Sequence, residues 1–148
     1  MTSHLESPPL EFIGMIQPRE QSEIHPARGP AIDPGYLVAS ARAHEAHRAT
    51  GGGFDRVLIG WYSNGPDGLQ LAAHAAAHTE HVGFLVAHRP GFQAPTTAAR
   101  AFATLDQLSG GRAAIHVISG GDDVDRRGTA IGWARTTATP ARTSMWTS

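Results

Sequence analysis

The sequence predicts an α/β fold in which parallel strands alternate with crossover helices. Three observations carry that prediction. Strand and helix signals alternate in the order βαβαβαβ. The strand signals are short continuous apolar runs, the pattern of strands buried on both faces. The units repeat every roughly 25 to 40 residues, a spacing typical of βα units whose connections are right-handed.

The elements follow in chain order. Glu11 to Ile16 (EFIGMI) is a short apolar run and reads as the first strand. Gln17 to Ile32, rich in Pro, Gly and charge, reads as a long loop. Asp33-Pro34 then makes a helix start, with Asp as N-cap and Pro at the first helical position. That helix carries Tyr36, Leu37 and Ala41 toward Ala46, and Gly51, Gly52 and Gly53 end it. Arg56 to Gly60 (RVLIG) is the second strand. After a loop with Ser63, Asn64, Gly65 and Pro66, Asp67 caps a second helix carrying Leu69, Ala72, Ala73 and Ala76. Val82 to Ala87 (VGFLVA) is the third strand. Pro95 opens a third helix, where Ala98, Ala101, Phe102, Leu105 and Leu108 form one apolar stripe. Gly110 and Gly111 stop it, and Ala113 to Ile118 (AAIHVI) is the fourth strand. An open doubly wound sheet and part of a (β/α)₈ barrel both satisfy this order, and periodicity does not choose between them.

Composition narrows the function classes. The chain has 148 residues, 41% hydrophobic and 17% charged, with a formal net charge of −1. A nucleic acid or an anionic membrane surface as partner would favour a basic excess, which is missing. With no cysteine, neither a disulfide framework nor a thiolate metal site is available. No apolar run approaches the ~20 residues of a membrane span. Met1 to Pro9 lacks the basic and apolar regions of a secretory signal, so a cytoplasmic protein is expected.

Nucleotide-binding motifs are missing. Ile13-Gly14-Met15 stands where a G-x-G-x-x-G turn would follow the first strand, and no Walker loop occurs. His74, His78 and His81 imitate zinc spacing, but Ala75, Ala76 and Ala77 intervene where a zinc protease needs its glutamate. They read as a helix face, and no metal is expected.

The segment Val82 to Gly121 is the most specific. Its core is Ala94-Pro95-Thr96, Ala98-Ala99-Arg100, Ala103-Thr104-Leu105-Asp106, Leu108-Ser109 and Gly111-Arg112. With Gly53-Phe54-Asp55 and Leu58-Ile59-Gly60 upstream, it resembles the luciferase-like flavin monooxygenases over residues 11–127. Within that family it is most similar to the alkanesulfonate and dimethylsulfone monooxygenase branch.

The resemblance implies the N-terminal half of a (β/α)₈ TIM-type barrel, with about four parallel strands and FMN at their C-terminal ends, where barrel active sites sit. It implies reduced FMN supplied by a separate flavin reductase, O₂ as co-substrate, and a small organosulfur or similar substrate. Val86 and Ala87 match the place beside the flavin ring, where relatives often carry a non-proline cis peptide. Ser119 and Gly120 match a polar flavin contact at the end of the fourth strand, and Met15 could pack on the ring. His88, Trp61, Tyr62 and Asn64 are expected at the mouth of the substrate pocket. Relatives that use a cysteine near Gly65 have no counterpart here, which weakens a sulfonate assignment.

Two departures stand out. Glu45 to Gly53 reads as a longer link than is usual in relatives, tolerable at a loop tip. The tail Gly128 to Ser148 is rich in Thr and Ala, has no acidic residue and lacks helical or strand periodicity. Read in a shifted frame with G+C-rich codons, it would yield an acidic segment beginning DGDWL, so a frameshifted, disordered tail is expected. The expected organisation is thus a disordered 1–10, a partial barrel over 11–127 and a non-family tail over 128–148. Open sheet edges suggest self-association, and the resemblance, in which loops of the other half of the barrel hold the flavin phosphate, implies weak or no FMN binding. A chain truncated and inactive alone, a flavin-binding dimer and a non-enzymatic half-barrel remnant are the alternatives.

Overall fold

A computed structural model describes residues 10–49 and 52–119. The elements run β1 (Ile13–Ile16), α1 (Pro34–Ala49), β2 (Arg56–Ile59), α2 (Gly68–Ala76), β3 (Gly83–His88), α3 (Pro95–Leu108) and β4 (Ala113–Val117). All neighbouring strands pair in parallel, in the order β1-β2-β3-β4.

That order decides between the two architectures that periodicity left open. A doubly wound sheet reverses its strand order and so puts helices on both faces. Here each crossover advances one strand the same way, and all three helices lie on one face. The buried cluster joins Ile16, Val57, Ile59, Phe84 and Val86 of the strands to Leu37, Ala41, Leu71, Ala72, Ala75 and Leu105 of the helices. The winding is that of a barrel wall.

The helix starts are local chemistry. Asp33 Oδ1 accepts from the Tyr36 N–H at 3.0 Å, and Asp67 Oδ1 from the Gln70 N–H at 3.0 Å. Pro95 opens α3 with Ala94 as N-cap, which supplies no side-chain bond. At its other end Gly110 and Gly111 take φ of 70° and 83°, a left-handed turn open to glycine. Helix α1 runs to Ala49, three residues past Ala46, because 47–49 contain no helix breaker. Most of the long link expected from Glu45 is therefore helix. β1 starts at Ile13 rather than Glu11, since Phe12 bonds irregularly, its N–H to Asp55 Oδ2 and its C=O to the Asp55 and Arg56 N–H groups. Gly14 is a packing glycine: a Cβ there would run into the His44 ring of α1.

The N-terminal ends of the strands are tied together by two side chains. Glu45 of α1 accepts from the N–H groups of Glu80 (2.7 Å), His81 and Val82 (3.1 Å), the turn that leads into β3. Burial pushes its carboxyl upward, but these N–H groups and the His81 charge outweigh it and hold the pKa below the ordinary value. Arg112 donates from Nε to Ser109 O (2.7 Å), from Nη1 to Thr79 Oγ1 and Val82 O (3.0 Å each), and from Nη2 to Ala76 O (2.9 Å) and Thr79 O (3.0 Å). All of a guanidinium's N–H groups are thereby used, and its carbon stands 5.4 Å from the Phe84 ring centre.

Candidate functional site at the C-terminal ends of the strands

Successive strand residues face opposite sides of a sheet, and the register fixes which side. Ile16, Ile59 and Val86 are aligned across the sheet and point into the helix-packed core. The row Met15, Leu58, Leu85 and Ala114 therefore points the other way, onto the face that no described helix covers. Ala87 lies on that same face, in register with His116 of β4. The result is an apolar strip on which Met15 is 47% exposed, while Ala87, nearest the C-terminal end, is 8% exposed.

The sequence-derived residues divide between two sides of β3. Met15 and Ala87 share the open face. The Val86 side chain is 1% exposed in the helix-side core, so only its backbone reaches the strand end. The peptide bonds of the described residues are all trans, that between Val86 and Ala87 included. Ser119 is exposed just past β4. Gly120 and the tail lie outside the described residues.

His88 closes β3 as its last residue, on the helix side and 7% exposed. Its ring meets Phe102 of α3 edge-on at 5.6 Å. Trp61, from the loop after β2, packs on Phe92 at 5.0 Å, and the Arg89 guanidinium lies 4.9 Å from the Trp61 ring and 5.0 Å from that of Phe92. These groups and Ala87 line a cleft of about 50 Å³ over the end of β3. His88 Nε2 is buried with no hydrogen-bond partner, and burial pushes the imidazole pKa down, so the ring is neutral at pH 7. Tyr62 folds back over Gly60 and Gly65, while Asn64 sits exposed in the turn, and neither lines the cleft.

Sequence reasoning missed Arg89, Phe92, Phe102 and His116. The motif around Phe102 identified a helix stripe, and only the fold turns one residue of that stripe onto His88. His116 could have been flagged by strand parity once its register with Ala87 was known. Among the described residues no three His, Asp or Glu side chains are grouped to hold a metal ion, and no helix is long and apolar enough to cross a membrane.

The fold recurs in solved proteins. DmoA from Hyphomicrobium sulfonivorans is 24% identical with a TM-score of 0.58, covering 76% of this chain and 28% of that one. The oxygenating constituent of 3,6-diketocamphane monooxygenase from the CAM plasmid of Pseudomonas putida, solved in complex with FMN, is 19% identical (TM-score 0.63; 92% and 37% covered). The coenzyme F420-dependent tetrahydromethanopterin reductase from Methanopyrus kandleri is 22% identical (TM-score 0.62; 79% and 29% covered). This chain thus spans under two fifths of the length of each. Its parallel strands and crossover helices form part of the luciferase-like TIM-barrel fold. The family model described as luciferase-like monooxygenase matches residues 10–141, a span that includes both the apolar strip and the His88 cleft. The chain belongs to the luciferase-like monooxygenase family.

Proposed function

We propose that this chain provides one wall of an FMN site in a flavin-dependent monooxygenase acting on a small organosulfur or similar substrate. The observation that carries this reading is the apolar strip of Met15, Leu58, Leu85 and Ala87 at the end of the strands where barrel enzymes place their chemistry. A planar tricyclic ring needs an apolar face to lie on, and these residues are apolar, with Ala87 the small one at the strand end.

When bound, reduced FMN, delivered by a separate reductase, supplies the electrons that activate O₂ for oxygen transfer. The chain's own residues bind and shield. Met15 and Ala87 would pack against the ring, with the Val86 backbone beside it, and Ser119 would offer a polar contact just past β4. Trp61 and His88 border the substrate side, where exclusion of water protects reactive species. Self-association through the outer strands belongs to the same reading, because Ile13 and Met15 of β1 and Ile115 and Val117 of β4 stand exposed there.

Titration of FMN fluorescence tests the strip. The parent chain should quench FMN saturably, with micromolar or weaker affinity because only one wall is present. Met15→Glu places a charge on the ring face at an exposed position and should abolish quenching without changing the circular dichroism spectrum. Equal quenching by parent and variant would refute the assignment.

A further inference from the structure

The cleft at the end of β3 contains a polar group that the protein leaves unanswered. His88 is 7% exposed, its Nε2 is fully buried, and no described group bonds to that nitrogen. A buried donor or acceptor without a partner costs stability, so its retention points to something that enters and pairs with it. The cleft holds about 50 Å³, enough for one water or for a polar group of about three heavy atoms. Trp61, Phe92 and Phe102 wall it with aromatic rings.

Charge narrows what can enter. Besides His88 the lining includes Asp67 and Arg89, one ionisable group of each sign. The two signs offset one another, so the lining carries no net charge with which to hold an ion stripped of its water. An uncharged polar group is opposed by neither. Nor does it need the imidazole to gain a proton, a change that burial disfavours here. Shape, charge and the orphan nitrogen agree.

We propose that this cleft binds the uncharged, oxygen-bearing end of a small molecule, with a carbonyl-type oxygen accepting from His88 Nε2–H. On the monooxygenase reading that molecule is the substrate. His88 then selects neutral carbonyl-type compounds over carboxylates and sulfonates of the same size.

Three isosteric probes that differ in charge test this on the full chain: acetamide, acetate and acetamidinium. Long-range proton–nitrogen NMR of ¹⁵N-histidine-labelled protein reads the His88 Nε2 resonance directly. Acetamide should shift it saturably, acetate and acetamidinium at least tenfold more weakly, and the other histidines should not follow. His88→Leu should weaken acetamide binding at least tenfold, measured by Trp61-region chemical shifts, and leave the thermal midpoint unchanged or raised. Equal response to the three probes, or no response to acetamide because the cleft holds only water, would overturn the proposal. A clear fall in the midpoint of His88→Leu would do so too, since it would show a structural role. FMN titration is independent: acetamide binding without FMN binding would refute the flavin reading and leave the His88 cleft standing.

Discussion

Replacing Arg112 by lysine should cost about 2–4 kcal/mol of stability, a large share of the ~5–15 kcal/mol typical of a domain. The magnitude follows from the geometry. The guanidinium satisfies oxygens from three separate segments: Ala76 at the end of α2, the Thr79–Val82 turn, and Ser109 at the end of α3. Lysine has one nitrogen with three donors and a methylene where Nε stood, so Ser109 O and at least one further oxygen lose their donor. Bonds to charged groups contribute about 1.5–3 kcal/mol each, and Arg112 is only partly buried, so rehydration returns some of that. For a chain of this length each kcal/mol moves the midpoint by roughly 3 °C, giving a fall of about 6–12 °C. Thermal and urea unfolding followed by far-ultraviolet circular dichroism would measure it. Arg112→Ala, which also loses packing on Phe84, should fall further. A lysine variant within about 2 °C of the parent would refute the view that the planar fork, rather than the charge, holds these segments.

Two further predictions concern the same end of the sheet. Glu45→Gln keeps an acceptor but loses the charge, and should cost about 1 kcal/mol at pH 7. Because the folded carboxyl titrates below its ordinary value, its contribution is complete above about pH 4.3 and lost as pH falls through the lowered value. Parent and variant should therefore converge in acid, and a constant gap down to pH 2.5 would count against the N–H cluster as its cause. Gly14→Ala should destabilise by about 1–3 kcal/mol through collision with the His44 ring, and His44→Ala in the same chain should relieve most of that, as a double-mutant cycle would show.

Much of this fold could be read from sequence because its signals are local. Asp33, Asp67 and Pro95 mark helix starts whose chemistry lies within three residues, and Gly110-Gly111 marks a stop. The sides of the strands could not be read. RVLI and GFLVAH are apolar at nearly every position, so no alternation tells which residues meet the helices. Parity came only from the register, and it separated Ala87 from Val86 and His88. Arg112 was visible as part of a family segment, but its partners other than Ser109 lie 30 to 36 residues away along the chain. Glu45 looked like the start of a loose link, and its bonds to residues 80–82 cross a similar distance. Long-range polar contacts leave no periodic trace.

The placement of Glu45 and Arg112 has a consequence for how this protein can change. Both lie at the N-terminal ends of the strands, whereas Ala87, His88 and Trp61 lie at the opposite ends, and the apolar sheet stands between. Substitutions at one end are too far from the other to share partners, so their effects should add. Variation around the His88 cleft can therefore be explored, by selection or in a library, without drawing on the contacts that keep the wall upright.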